Sequence, residues 1–178
     1  LENQIKDRGF EIVAVAKTIT TPMGVYSNKV KSLDELADGA TVAIPNDPTN
    51  GGRALLLLQA QNLIKLKDGV GILPTVLDII DNPRKLKIRE IDAAQLPRSL
   101  DDVDAAVINT NYAVAAGLIP GKDSIAIESS VDNPYNNFIA VRERDKNAPW
   151  VAKLVQAYQN DTIRQLIKDK LPGQIPAF

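Results

Sequence analysis

Residues 41–66, TVAIPNDPTNGGRALLLLQAQNLIKL, constrain the fold more than any other stretch of the chain. The β-branched, apolar run 41–44 predicts a buried strand. Residues 45–52 are a dense cluster of Pro, Asn, Asp, Thr and Gly, which predicts a turn. Residues 54–66 are apolar at helical spacing. Strand, turn and helix in that order aim free backbone N–H groups at a ligand. Gly51 and Gly52 carry no side chain to block its approach. Thr49, Asn50 and Gly52 in this turn are secondary candidates for ligand contact.

Arg53 falls in the expected first turn of that helix. A cation at this positive end of the helix dipole is disfavoured by up to about 1 kcal/mol. An anion held by both the backbone donors and the guanidinium reverses the sign. A carboxylate suits Arg best, because two N–H donors match two oxygens. The competing readings are that Arg53 leans into water or pairs with Asp47. The Gly-Gly-Arg run lacks the Gly-Lys-Ser/Thr of a phosphate-binding loop, so phosphate transfer is not implied.

At 178 residues the chain can make one large domain or two small lobes. The net charge of −1 and the absence of a basic face argue against a nucleic-acid partner. No apolar run is long enough to span a membrane. With no Cys and no His, these residues contain no thiol nucleophile, no Ser-His-Asp triad and no His-ligated metal. The spacings assemble no nucleophile–base pair from Lys, Asp, Glu or Tyr, so neither an enzyme nor a cofactor is expected. Leu1 and Ile5 lie one helical turn apart before a Gly9 stop. The chain therefore reads as starting inside an amphipathic helix, as a processed or truncated product would.

Elsewhere, 10–16 and 138–141 predict strands, and Ser32 with Glu35 predicts a capping box. Residues 75–80 predict a brief helix stopped by Asn82-Pro83. Ser99 reads as the N-cap of a short helical turn. Asp101, Asp102 and Asp104 read as acids in that first turn rather than as a metal site. The buried strand 105–108 ends at Asn109, and polar residues just beyond the carboxyl end of such a strand lie where open α/β sheets bind ligands. A turn-only role for Asn109 stays open. Near the end, Trp150, Leu154 and Tyr158 share a helical face with Val151 and Val155, and Asp161 caps a second helix. The alternation of strands and helices predicts an α/β fold.

Five stretches, in order, resemble one family. KSLDELADGATVAIPNDPTNGGRALLLLQ, LIKLKDGVGILPTVLDIIDNP, LPRSLDDVDAAVINTNYA, NPYNNFIAV and LVQAY are similar to the methionine-binding lipoproteins of ABC importers. The resemblance implies a two-lobed, type II periplasmic-binding-protein fold that clamps methionine, a close relative or a short peptide between its lobes and delivers it to a membrane permease. It implies that Arg53 holds the ligand carboxylate, and that Asn109 and Asn137 hydrogen-bond the ligand's polar end. It places the protein in the periplasm or on the outer face of the cytoplasmic membrane, anchored by lipid on a Cys upstream of Leu1. The family's first strand–helix unit, and the Phe/His/Tyr cluster that lines its thioether pocket, would also precede Leu1. The expected division is therefore one complete lobe, 29–134, and part of another, 1–28 with 135–178, hinged near 26–28 and 133–135. A lobe lacking its first strand leaves an open sheet edge, and either self-association or an accompanying N-terminal piece is expected to cover it. The alternative to an importer component is a ligand-sensing regulatory domain of the same architecture.

Overall fold

Short apolar strands that alternate between two faces organise the middle of the chain. A computed structural model describes residue 5 and residues 8–131 and 133–178. In chain order its elements are β1 (Ile12–Lys17), β2 (Ile19–Thr20), β3 (Gly24–Tyr26), β4 (Thr41–Pro45), α1 (Pro48–Ala60), β5 (Lys65–Leu66), β6 (Ile79–Asp81), β7 (Lys87–Ile91), β8 (Ala105–Ile108), α2 (Thr110–Ala115), β9 (Ala126–Ile127), β10 (Phe138–Arg142), α3 (Pro149–Tyr158), α4 (Asp161–Lys170) and β11 (Ile175–Pro176). They divide into two units: Pro22–Ser129, and Leu1–Thr21 with Ser130–Phe178.

The unit Pro22–Ser129 is built on a five-stranded sheet in the order β7-β4-β8-β3-β9. β4 runs parallel to β7 and to β8. β3 runs antiparallel to both β8 and β9. Two antiparallel steps restore direction, so β4, β8 and β9 all end at the same edge of the sheet. Successive side chains on a strand face opposite sides. Val42, Ile44, Val25 and Val107 therefore join one buried cluster, with Leu55 and Leu58 of α1. Ala43, Tyr26, Ala106 and Ile108 join the other, with Leu96, Leu100 and Ala113. Gly24–Tyr26 pairs with the central strand β8, which is why this unit takes in the chain from Pro22 onward.

Several local expectations are corrected here. α1 begins at Pro48 and ends at Ala60, and residues 65–66 are a short strand. Ser32 makes no cap bond; the Glu35 carboxylate accepts instead from the Lys31 N–H at 2.8 Å. The turn at Val76–Asp78 is a single 3-10 turn that runs into β6. There the Asp78 carboxylate accepts from Thr75 N at 2.8 Å and from its hydroxyl at 3.0 Å. Ser99 lies inside a 3-10 stretch, Ala93–Asp101, capped by Asp92.

In the other unit, β1 pairs with β10 and β2 with β11, both antiparallel. Val151 of α3 is buried, but Trp150 and Leu154 on the expected face are exposed. The N-cap of α4 is Asn160, one residue earlier than read, with Oδ1 accepting from Ile163 N at 3.0 Å. Arg164 stacks over the Phe178 ring, 4.7 Å from its centroid. The helix read at the start of the chain lies largely outside the described residues. Gly9 follows it with φ +65° and donates to Ile5 O at 2.8 Å, a geometry a helix stop requires.

Candidate functional site

The site is built along the sheet edge where β4, β8 and β9 end. After β4, Asp47 caps α1, its Oδ1 accepting from Asn50 N at 3.0 Å, and Pro48 opens the helix at its first position. The helix thus starts within the cluster read as a turn, and Arg53 is its sixth residue rather than part of its first turn. The dipole's end effect fades within one turn. The electrostatic penalty assigned to Arg53 from the sequence therefore does not apply. The chain's own Asp47 supplies the anion at the positive end.

Gly51 and Gly52 serve packing. A Cβ on Gly51 would fall 2.8 Å from the Pro45 carbonyl oxygen. One on Gly52 would fall 3.0 Å from Leu73 Cα and 3.1 Å from Pro74. Thr49 is exposed on the second helical position.

Arg53 is 6% exposed and neither leans into water nor pairs with Asp47. Its Nε donates to Glu128 Oε1 at 2.9 Å and to Oε2 at 3.2 Å, and its Nη2 donates to Oε2 at 2.5 Å. Glu128 directly follows β9. It is tied back to the start of β3, with Oε2 accepting from Met23 N at 3.2 Å and its own N–H donating to Met23 O at 2.8 Å. A buried guanidinium without a counter-charge is costly, and the edge strand brings that charge to it. Glu128 was not singled out from the sequence. The usable signal was a lone acid directly after the apolar SIAI run.

Asn109 directly follows β8 and is half-buried. It does not cap α2 with its side chain. Instead Nδ2 donates to Asn50 Oδ1 at 2.8 Å. Asn50 lies one turn before Arg53 on α1, so the structure brings Asn109, Asn50 and Arg53 onto one edge. Asn109 Oδ1 is buried with no hydrogen-bond partner among the described residues. The next residue, Thr110, is fixed by its hydroxyl donating to Pro22 O at 2.6 Å.

Asn137 belongs to the other unit and is exposed. Its backbone continues the strand pairing, accepting from Thr18 N and donating to Ile19 O, both at 2.8 Å. The acidic run after residue 100 serves structure. Asp104 accepts from Thr41 N at 2.7 Å and from Lys29 Nζ at 3.2 Å, and these bonds hold its carboxyl below the usual range. Asp101 accepts from Asn28 Nδ2 at 2.7 Å.

The model of the NlpA lipoprotein family matches residues 1–178. The chain is 60% identical over 165 residues to the D-methionine-binding lipoprotein MetQ of Salmonella typhimurium, covering 92% of this chain and 60% of that relative. It therefore spans about 60% of the length of the curated relative it matches. A nutrient binding protein from Burkholderia cenocepacia, solved bound to methionine, is similar with a TM-score of 0.87 at 56% identity, over 99% of this chain and 75% of that one. An ABC transporter periplasmic substrate-binding protein from Coxiella burnetii gives 0.85 at 48% identity, over 98% and 73%. These neighbours bear out the two-lobed α/β fold expected from the sequence, and the chain belongs to the NlpA lipoprotein family.

Proposed function

We propose that this protein captures methionine or a close relative in the cleft expected between its lobes and delivers it, chemically unchanged, to the permease of an ABC importer. The observation that carries the reading is the unpartnered, buried Asn109 Oδ1 on the edge that also holds Arg53. A free amino acid presents a carboxylate to a guanidinium and ammonium donors to an acceptor. In this reading Arg53 takes the carboxylate, Asn109 takes the ammonium, and Asn137 adds a bond from the other lobe. Thr49, Asn50 and Gly52 support the edge from α1. The chain crosses between units at Thr21–Pro22 and Ser129–Ser130, a few residues before the 26–28 and 133–135 expected from the sequence; in this reading these crossings serve as the hinge. The choice of methionine is supported by what the similar proteins are named for binding. In this reading the protein works in the periplasm or at the outer face of the cytoplasmic membrane, held by lipid; the lipoprotein family description supports the anchor.

Calorimetry on the full-length protein, with both enantiomers of methionine, other free amino acids and glycyl-methionine, tests the ligand. Methionine is expected to bind and to be recovered intact. Absence of methionine binding, or its conversion to a product, overturns the reading. Stimulation of the permease complex's ATP hydrolysis by the liganded protein tests the delivery step.

A further inference from the structure

Three half-buried side chains on the ligand edge are joined in series. Asp47 Oδ1 accepts from Asn50 N at 3.0 Å, the bond that caps α1. Asn50 Nδ2 donates to Asp47 Oδ1 at 3.1 Å and to Oδ2 at 3.0 Å. Asn50 Oδ1 accepts from Asn109 Nδ2 at 2.8 Å. Asn109 Oδ1, at the far end, is buried and has no partner among the described residues.

A carboxylate only accepts, whereas an amide both donates and accepts. Asp47 therefore fixes the two amides that follow it. Facing a carboxylate, Asn50 must present Nδ2, which leaves Oδ1 for the next amide. Facing that oxygen, Asn109 must present Nδ2, which leaves Oδ1 at the end of the series. An amide free to turn would offer an acceptor to an ammonium or a donor to a carboxylate. Asn109 is set as an acceptor before any ligand arrives.

We propose that Asp47 is a positioning residue for selectivity: acting through Asn50, it holds Asn109 as an acceptor, so that the site prefers an amino acid to the same molecule without its ammonium. The proposal rests on the reading that Asn109 receives the ligand ammonium. Asp47→Asn isolates this role, because Asn is as good an N-cap as Asp and α1 keeps its start. The atom that accepts from Asn50 N must stay an oxygen, so the new Nδ2 takes the place of Asp47 Oδ2 and faces Asn50 as a donor. Asn50 then turns Oδ1 to it, and Asn109 turns Oδ1 to Asn50. A donor replaces the acceptor at the end of the series.

The test is calorimetry on the full-length parent, Asp47→Asn, Asn50→Ala and the double variant, each titrated with methionine and with its des-amino analogue. The parent is expected to prefer methionine. Asp47→Asn should narrow that preference about tenfold or more, because a hydrogen bond to a charged group is lost. Asn50→Ala frees the Asn109 amide to suit either ligand and should narrow the preference too. With Asn50 absent, adding Asp47→Asn should narrow it no further. An equal narrowing by Asp47→Asn in both backgrounds would mean that Asp47 acts by its charge alone, and overturns the proposal. An unchanged preference in Asp47→Asn also overturns it, while methionine binding by the parent leaves the functional reading standing. If Asp47→Asn does not fold, as circular dichroism would report, Asn50→Ala decides: an unchanged preference there overturns the proposal. A parent that binds the analogue as tightly as methionine overturns it too, and a parent that binds neither overturns both readings.

Discussion

Asn109 Nδ2 donates to Asn50 Oδ1 at 2.8 Å, and this bond ties the carboxyl end of β8 to the first turn of α1. It also sets which way the Asn109 amide faces. Asn50 Nδ2 is spent on both oxygens of Asp47, at 3.1 and 3.0 Å. Its Oδ1 must then meet a donor, so Asn109 presents Nδ2 to it and turns Oδ1 elsewhere. That leaves Oδ1 as the orphan acceptor to which the proposed ligand ammonium would donate.

Asn50→Ala should therefore weaken methionine binding although Asn50 need not touch the ligand. The Asn109 amide would lose its anchor, and the apo protein would lose about 1 kcal/mol for the hydrogen bond. Asn109→Ala should cost about 1–3 kcal/mol of affinity. A double-mutant cycle should give a coupling of about 0.5 kcal/mol or more. Additive effects, or full affinity in Asn109→Ala, would reduce Asn109 to a turn residue.

Arg53→Ala carries a prediction whose sign depends on where α1 starts. A cation in the first turn would be missed little by the apo protein. The observed Arg53, in the second turn and paired with Glu128 at side-chain exposures of 7% and 14%, is different. Its removal leaves a buried carboxylate without its partner, and apo stability should fall by about 3–5 kcal/mol. Arg53→Lys keeps a charge near Glu128 but not the two-pronged contact, and should fall between parent and Ala. Urea unfolding without ligand measures this. An apo Arg53→Ala protein as stable as the parent would show that the pair adds nothing to the fold.

The legible and illegible parts of this site separate for physical reasons. β4 and β8 were readable because central parallel strands are buried on both faces and appear as unbroken apolar runs. The start of α1 was misread because Asp47-Pro48, an N-cap followed by a first-turn proline, uses the same residues as a turn. The two glycines look like loop residues, but their reason is a tertiary contact with Pro45, Leu73 and Pro74. Arg53 stood out by its residue type alone. Glu128 did not, because its strand is two residues long and its partner is 75 residues away. Asn137 was reached only through the family resemblance, since nothing local marks it out.

Gly52→Ala tests the packing account of α1. Inside a helix, Gly to Ala is ordinarily favourable by roughly 0.5–1 kcal/mol. Here the new Cβ would meet Leu73 Cα and the Pro74 ring and carbonyl at 3.0–3.1 Å, and these are groups that cannot rotate aside. The clash should outweigh the propensity and destabilise by about 1–3 kcal/mol. Gly51→Ala, at 2.8 Å from the Pro45 oxygen, should be at least as costly. Thermal melts decide it; a rise in melting temperature for either variant would mean that α1 has room to shift.

Tyr26 should govern stability at alkaline pH. Its side chain lies within the sheet's core, and its hydroxyl is buried with no partner among the described residues. Burial first, and the nearby Asp123 charge second, push the phenol from its ordinary 10.0 up to about 12. Between those values the folded chain keeps a proton that the unfolded chain has lost. The unfolded state is then increasingly favoured as pH rises, and the stability present below pH 10 is lost as pH approaches 12. At 1.36 kcal/mol per unit, the full loss is about 2–3 kcal/mol. Tyr26→Phe removes both the titration and the unsatisfied hydroxyl. It should equal or exceed the parent's stability at neutral pH, and its advantage should widen steadily from pH 10 upward. Every other group is common to both proteins, so the difference between the two urea midpoints isolates the phenol. Midpoints that fall in parallel across this range would show that the hydroxyl ionises in the folded protein as easily as in water.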